Sequence, residues 1–261
     1  MKTTILGSTG LRVSRLNFGT GSAGWAGRSK QSDLGIDELS RLLRLAHDLG
    51  VNFWDTADQY GTHPHIRAAL KGLDRSSVVI NSKTTARGAD AGADAERFLR
   101  EMGTDYLDIC MLHGMSERDW PRTHAAAMEA LSDCKRRGLV RAVGVSVHTL
   151  SALGAAGEHP WVDVILTRLT PAERGTEVAP DRVVPQVARA NAAGKGVYVM
   201  KVLGVGKYAD DVPGAFRTVL ASPWLHAMTV GMASEAEIRE NVRLATELEP
   251  AVPAGSSGNG L

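Results

Sequence analysis

Asp105-Tyr106-Leu107-Asp108-Ile109-Cys110-Met111-Leu112-His113 is an apolar run that ends on an imidazole. Pro121 then opens a helical stretch running to about Arg137 and closed by Gly138, and Val140-Arg141-Ala142-Val143-Gly144-Val145-Ser146 follows as a second apolar run. Proline suits the first helical turn and glycine the residue just past the last. The second run is almost continuously apolar, as a strand covered on both faces must be. Strand, helix and strand within residues 105–146 read as one βαβ unit, with parallel strands and a right-handed crossover.

The same alternation extends in both directions. A short hairpin around Gly7 and Gly10 is followed by candidate strands near 16–20, 52–56, 78–83, 106–113, 140–147, 162–169, 197–203 and 227–231. Between them, Asp37 to Leu49 places Leu39, Leu42, Leu43, Ala46 and Leu49 on one face and stops at Gly50. Ser234 reads as an N-cap, with Glu237 three residues on completing a capping box. Eight strand–helix units close naturally into a (β/α)8 TIM barrel, and 261 residues is a usual length for one. A doubly wound open sheet is the alternative. The reading is one barrel domain over 1–249 and a Gly/Ser/Pro-rich, disordered tail over 250–261.

A formal charge of +1 gives no global field for nucleic acid or an acidic membrane surface. Lys135-Arg136-Arg137 sits where a helix ends and complements its dipole. Two cysteines, Cys110 and Cys134, are too few for a disulfide framework, and we read them as reduced thiols of a cytoplasmic protein. The N-terminus lacks the apolar stretch of a signal peptide, and no run approaches the ~18 apolar residues that span a bilayer.

Four polar residues fall at or just beyond the ends of three successive candidate strands: Asp55, Tyr60, Lys83 and His113. Singly, each has an ordinary explanation as a turn, packing or solvated residue. In a (β/α)8 barrel, however, strand C-termini and the loops after them form one rim, which would bring all four together. A phenol beside an ammonium, a carboxylate and an imidazole can deliver a proton, with Lys83 lowering the Tyr60 pKa and Asp55 holding the ammonium. His63-Pro64-His65 lies nearby, but with no third ligand beside it we expect no metal.

With these residues in view, the chain resembles the aldo-keto reductase family over nearly its full length. The segments that carry the resemblance are Leu6 to Thr20, Gly50 to Gly61, Met102 to Asp108 with Leu112-His113, Gly144-Val145-Ser146, Met200 to Gly206, and Val230 to Asn241. The resemblance implies reduction of an aldehyde or ketone by NADPH or NADH, without a metal. Tyr60 would be the proton donor, tuned by Lys83 and Asp55, and His113 would orient the carbonyl. It also implies cofactor contacts from Gly19, Thr20, Ser146, Thr167, Lys201, Leu203, Gly204, Gly231, Ser234, Glu237 and Asn241. The partner would be a small carbonyl compound and the protein a monomer or weak homo-oligomer. A cofactor-binding regulatory protein and a redox-neutral enzyme on the same barrel are the rival readings.

The chain departs from the family pattern in three places. Thr167 stands where an amide side chain is usual, and Thr170 near the place of an aromatic that stacks on the nicotinamide. Arg168 beside them either points outward under a neighbouring helix or places a cation near substrate or cofactor phosphate. Gly231 and Glu237 replace basic residues of NADPH-preferring members, which tilts specificity away from a strict NADP requirement, although Glu237 also fits a capping box and Arg239 and Arg243 could supply charge. His148 follows Ser146-Val147, either taking over a carboxamide contact or starting the next helix. The loop with Gly24, Trp25 and Gly27 should form part of the rim, and Trp120 either lines the mouth or packs. A short region after the last helix implies an open substrate pocket.

Overall fold

The computed structural model describes residues 1–248; the tail expected over 250–261 lies outside them. In chain order the strands are β1 (Thr3–Ile5), β2 (Arg12–Ser14), β3 (Leu16–Gly19), β4 (Phe53–Asp55), β5 (Val79–Thr84), β6 (Leu107–Met115), β7 (Val140–Val147), β8 (Val164–Arg168), β9 (Gly196–Met200) and β10 (Ala227–Gly231). The helices are α1 (Ile36–Asp48), α2 (His63–Leu70), α3 (Asp90–Met102), α4 (Trp120–Thr123), α5 (Ala125–Arg136), α6 (Leu150–Glu158), α7 (Pro180–Ala192), α8 (Val212–Leu220) and α9 (Glu235–Glu247). β3 to β10 form a closed, all-parallel barrel in sequence order, sealed by pairing of β10 with β3. The (β/α)8 barrel read from the sequence is the observed fold.

Strand alternation divides the apolar residues into two layers. Phe53, Val79, Ile109, Met111, Ala142, Val164, Leu166, Tyr198 and Ala227 cluster inside the barrel. Trp54, Ile80, Cys110, Leu112, Val143, Val145, Ile165, Val197 and Val199 point out, against helix residues such as Leu42, Phe98, Leu131 and Val187. β1 and β2 pair antiparallel, and Leu6, Leu11 and Val13 of this hairpin join the interior cluster. The hairpin therefore plugs the end of the barrel where the strands begin. That leaves the opposite end, where the strands finish, free to carry chemistry.

Two local expectations change and one open reading closes. The stretch from Pro121 to Arg137 is two helices, broken at His124 (φ −119°, ψ 18°). There the imidazole Nδ1 meets the Trp120 carbonyl (3.2 Å) and the Thr123 hydroxyl (2.9 Å), local bonds that compete with helix continuation. The seventh barrel strand ends at Met200 rather than 203, because Lys201 turns into a left-handed conformation (φ 60°). Trp120 is buried among Ala152, His159 and Trp161, so it packs and does not line the mouth.

Candidate active site

The quartet meets at the mouth. Asp55 ends β4, Lys83 is the penultimate residue of β5, and both are buried inside the barrel. Lys83 Nζ donates to Asp55 Oδ1 (2.6 Å) and to the Thr56 carbonyl (2.6 Å), and lies 5.0 Å from the centre of the Tyr60 ring. The Tyr60 hydroxyl is 3.3 Å from His113 Nε2, with the two rings edge to face. β6 loses register with β7 between Leu112 and Met115, and Gly114 adopts φ 80°. This irregularity sits at His113 and aims its ring at Tyr60, a known use of strand-end bulges.

The environment sets the protonation states. Burial holds the Tyr60 phenol above its ordinary pKa; Lys83 pulls it down but does not win. The expectation that Lys83 lowers this pKa is thus right for the ammonium alone and wrong for the sum. Burial, reinforced by Lys83, His148 and Lys201, depresses His113 to about 3, so its ring is neutral at physiological pH. Its Nδ1 is buried without a partner. A protonated phenol against a neutral imidazole is a proton donor beside a group that can hydrogen-bond a carbonyl oxygen.

Sequence reasoning missed what holds these groups. Asp55 Oδ2 accepts from the Tyr198 hydroxyl (2.7 Å) and from Asn81 Nδ2 (2.8 Å), so Oδ2 is fully occupied and Oδ1 is left to Lys83. Tyr198 comes from β9, far away in sequence, and only closure of the barrel brings it close. The Thr20 hydroxyl donates to the Asp55 carbonyl, and Thr20, Thr56 and Thr62 hydroxyls form a chain behind it. Gly19, Gly21 and Gly24 spell G-x-G-x-x-G after a strand, the dinucleotide fingerprint, but no helix opens there and α1 begins only at Ile36. Here the second and third glycines make room for Tyr60, since a Cβ at Gly21 or Gly24 would collide with its ring, whereas one at Gly19 would strike the Thr229 hydroxyl. The loop expected at the rim, with exposed Trp25, therefore seats the phenol.

The residues expected to hold a cofactor divide. Ser146 is buried beside the quartet and accepts from Gly114 N–H (2.7 Å). Lys201 stands half-buried at the mouth, strained at φ 60°, and Leu203 and Gly204 continue its loop. Thr20 is fully buried behind Asp55. Thr167 shares the outward face of Ile165, whereas Arg168 shares the inward face of Val164 and Leu166. The amide position expected at Thr167 is thus not on the interior face, and Arg168 does not lie outward under a helix. The Thr170 hydroxyl is tied to the Lys201 carbonyl (2.9 Å). A Cβ at Gly231 would strike Ser22, and Gly19 lies directly across from it in register.

Ser234 caps α9, its hydroxyl accepting from Glu237 N–H (3.2 Å). The Glu237 carboxylate, however, accepts from Ala233 N–H (2.7 Å), one residue before the cap, rather than from Ser234 N–H as the expected capping box requires. Arg239 pairs with Glu235, and Arg243 with Glu240 and Glu247, while Asn241 is buried along the helix. His63 and His65 start α2; His63 bridges Glu101 (2.6 Å) and Ser82 (2.9 Å), and Ser82 is wholly buried. Among the described residues no group of three His, Cys, Asp or Glu side chains is placed to hold a metal ion. Nor is any helix there long and apolar enough to cross a membrane.

The profile of the Aldo/keto reductase family matches residues 15–212. The chain belongs to this family. It is an aldo/keto reductase by sequence and an oxidoreductase by kind. It is 26% identical to an L-galactose dehydrogenase of Arabidopsis thaliana, an alignment covering 94% of this chain and 88% of the relative. Against an NADH-specific methylglyoxal reductase of Escherichia coli identity is 25%, over 68% of this chain and 61% of that protein. Among solved structures it is similar to PA4992 of Pseudomonas aeruginosa, described as an aldo-keto reductase, with a TM-score of 0.79, 28% identity and 94% of each chain covered. The holo form of an aldo-keto reductase from Bacillus halodurans, at 20% identity and TM-score 0.75 over 98% of this chain and 99% of that one, shares the fold.

Proposed function

We propose that the protein reduces an aldehyde or ketone to the alcohol with a nicotinamide cofactor, Tyr60 donating the proton. The observation that carries this reading is the unbroken contact series Tyr198–Asp55–Lys83–Tyr60–His113 at the barrel mouth. The nicotinamide, when bound, supplies the hydride. Tyr60, kept protonated by burial, gives its proton to the carbonyl oxygen as negative charge develops there. His113, neutral, donates a hydrogen bond to the same oxygen and fixes its direction. Lys83 beside the ring stabilises the phenolate that remains, and Asp55 keeps the ammonium in place. Asp55 in turn is held by Tyr198 and Asn81.

Several residues fit the cofactor. Ser146 offers a hydroxyl at the mouth, and the turn at Leu203 and Gly204 presents backbone of the kind that suits a phosphate. We propose that NADH binds at least as well as NADPH. A 2′-phosphate at the start of α9 would meet the Glu237 carboxylate, and Arg239 and Arg243 are already paired with Glu235, Glu240 and Glu247. Two unpaired buried thiols, Cys110 and Cys134, support assignment to the reducing cytoplasm. A fluorescence titration with both nucleotides tests the cofactor: saturation by NADH at micromolar levels, equal to or tighter than NADPH, is expected. No binding of either at millimolar concentration would end the oxidoreductase reading.

A further inference from the structure

Arg168 ends β8 on the inward face, and its Nε is buried without a hydrogen-bond partner. It lies opposite Met200 in register, one residue before Lys201 on the loop leaving β9. On its other side β7 pairs with β8 through Val147 and Thr167, so His148 stands next to Arg168. Burial and the two cations hold the His148 ring neutral, near 4, and Arg168 lowers Lys201 after burial does. No carboxylate forms an ion pair with Arg168 or Lys201 among the described residues. The acidic side chains of the following loop are directed elsewhere, Glu177 to Leu150 N–H and Glu173 toward Lys207.

Two cations side by side without an anion are costly in a half-buried place, and a bound anion removes that cost. Position says which anion. Lys201 and His148 both bear on His113, whose Nε2 is 3.3 Å from the Tyr60 hydroxyl. The cationic pair therefore shares the barrel mouth with the proton donor, with β6 and β7 standing between Arg168 on β8 and Lys83 on β5.

We propose that Arg168 and Lys201 bind a carboxylate carried by the substrate itself, which makes the substrate class oxo acids rather than neutral carbonyls. The proposal rests on the reading of this site as a carbonyl reductase. Arg168 supplies a planar two-pronged donor suited to a carboxylate, Lys201 a point charge, and neutral His148 a further hydrogen-bond donor.

The test compares kcat/KM for glyoxylate and 4-carboxybenzaldehyde with those for their methyl esters. It is paired with calorimetric titration of benzoate and benzamide into the protein saturated with NAD+. The wild type should favour each acid by about tenfold or more, the size of a charge-assisted contact, and bind benzoate but not benzamide. Arg168→Met should bring the acid-to-ester ratio close to one and abolish benzoate binding, and Arg168→Lys should restore part of both. Equal rates for acids and esters without benzoate binding would overturn the carboxylate site while leaving carbonyl reduction in place. Benzoate binding that depends on Arg168, with no carbonyl compound reduced, would support the site and overturn the reductase reading. A loss of NADH affinity in Arg168→Met as large as the loss of benzoate would assign these cations to cofactor phosphate and overturn the proposal.

Discussion

Tyr60 is made by its neighbours more than by its own chemistry. Its ring sits where Gly21 and Gly24 have no side chains, so the geometry depends on two absent methyl groups. Gly21→Ala should push the ring away and cut kcat roughly 100-fold, the usual consequence of moving a reacting group by about an ångström, with cofactor affinity in titration nearly unchanged. A variant with wild-type kcat would show that the ring can move without cost. Tyr198→Phe removes one of the two bonds to Asp55 Oδ2. We expect about a tenfold fall in kcat, as for other outer partners of a charged site, and a displaced pH profile for the Tyr60 ionisation. An unchanged profile would mean that Asn81 alone holds the carboxylate. At this scale the quartet was legible because strand-end residues announce themselves, whereas Tyr198 and Asn81 read as ordinary strand residues until the barrel closes. Arg168 was ambiguous because one residue of uncertainty in a strand end reverses the face.

At the level of elements, the strands were legible because covered parallel strands are nearly all apolar, and the helices because one stripe faces the barrel. What escaped was conformation decided by single contacts: the break at His124, the irregularity of β6 at Gly114, and the left-handed turn at Lys201 that ends β9 early. None of these leaves a periodic trace. Gly92 offers a test of the packing between α3 and α5. A Cβ there would meet Ala130 and Cys134 at 3.6–3.8 Å, ordinary contact distances. Gly92→Ala should stabilise the protein by about 0.5–1 kcal/mol through a less flexible unfolded chain, seen as a higher denaturation midpoint. A lower midpoint would mean that α3 and α5 have no slack.

For the whole molecule, seven histidines, at 63, 65, 113, 124, 148, 159 and 226, are held below their ordinary pKa, chiefly by burial. Each binds a proton more readily unfolded than folded. The stability they contribute is fully present above about pH 6.5 and is lost as pH falls, toward about 4 for His148 and about 3 for His113. Unfolding free energy should therefore drop between pH 7 and 4, by up to about 1.4 kcal/mol per pH unit for each proton taken up. His113→Asn should flatten that slope by as much as one proton. A slope unaltered by the substitution would show that His113 is accessible and ordinary.

The central claim is that Tyr60 is the proton donor of a carbonyl reduction, and Tyr60→Phe addresses it most directly. Oxidation of NADH in the presence of an aldehyde is followed for wild type and variant, alongside nucleotide titration of both. The account predicts turnover reduced to background with nucleotide affinity within about twofold of wild type, since the phenol acts in the transition state and not in cofactor binding. Turnover near the wild-type rate in the variant would contradict it.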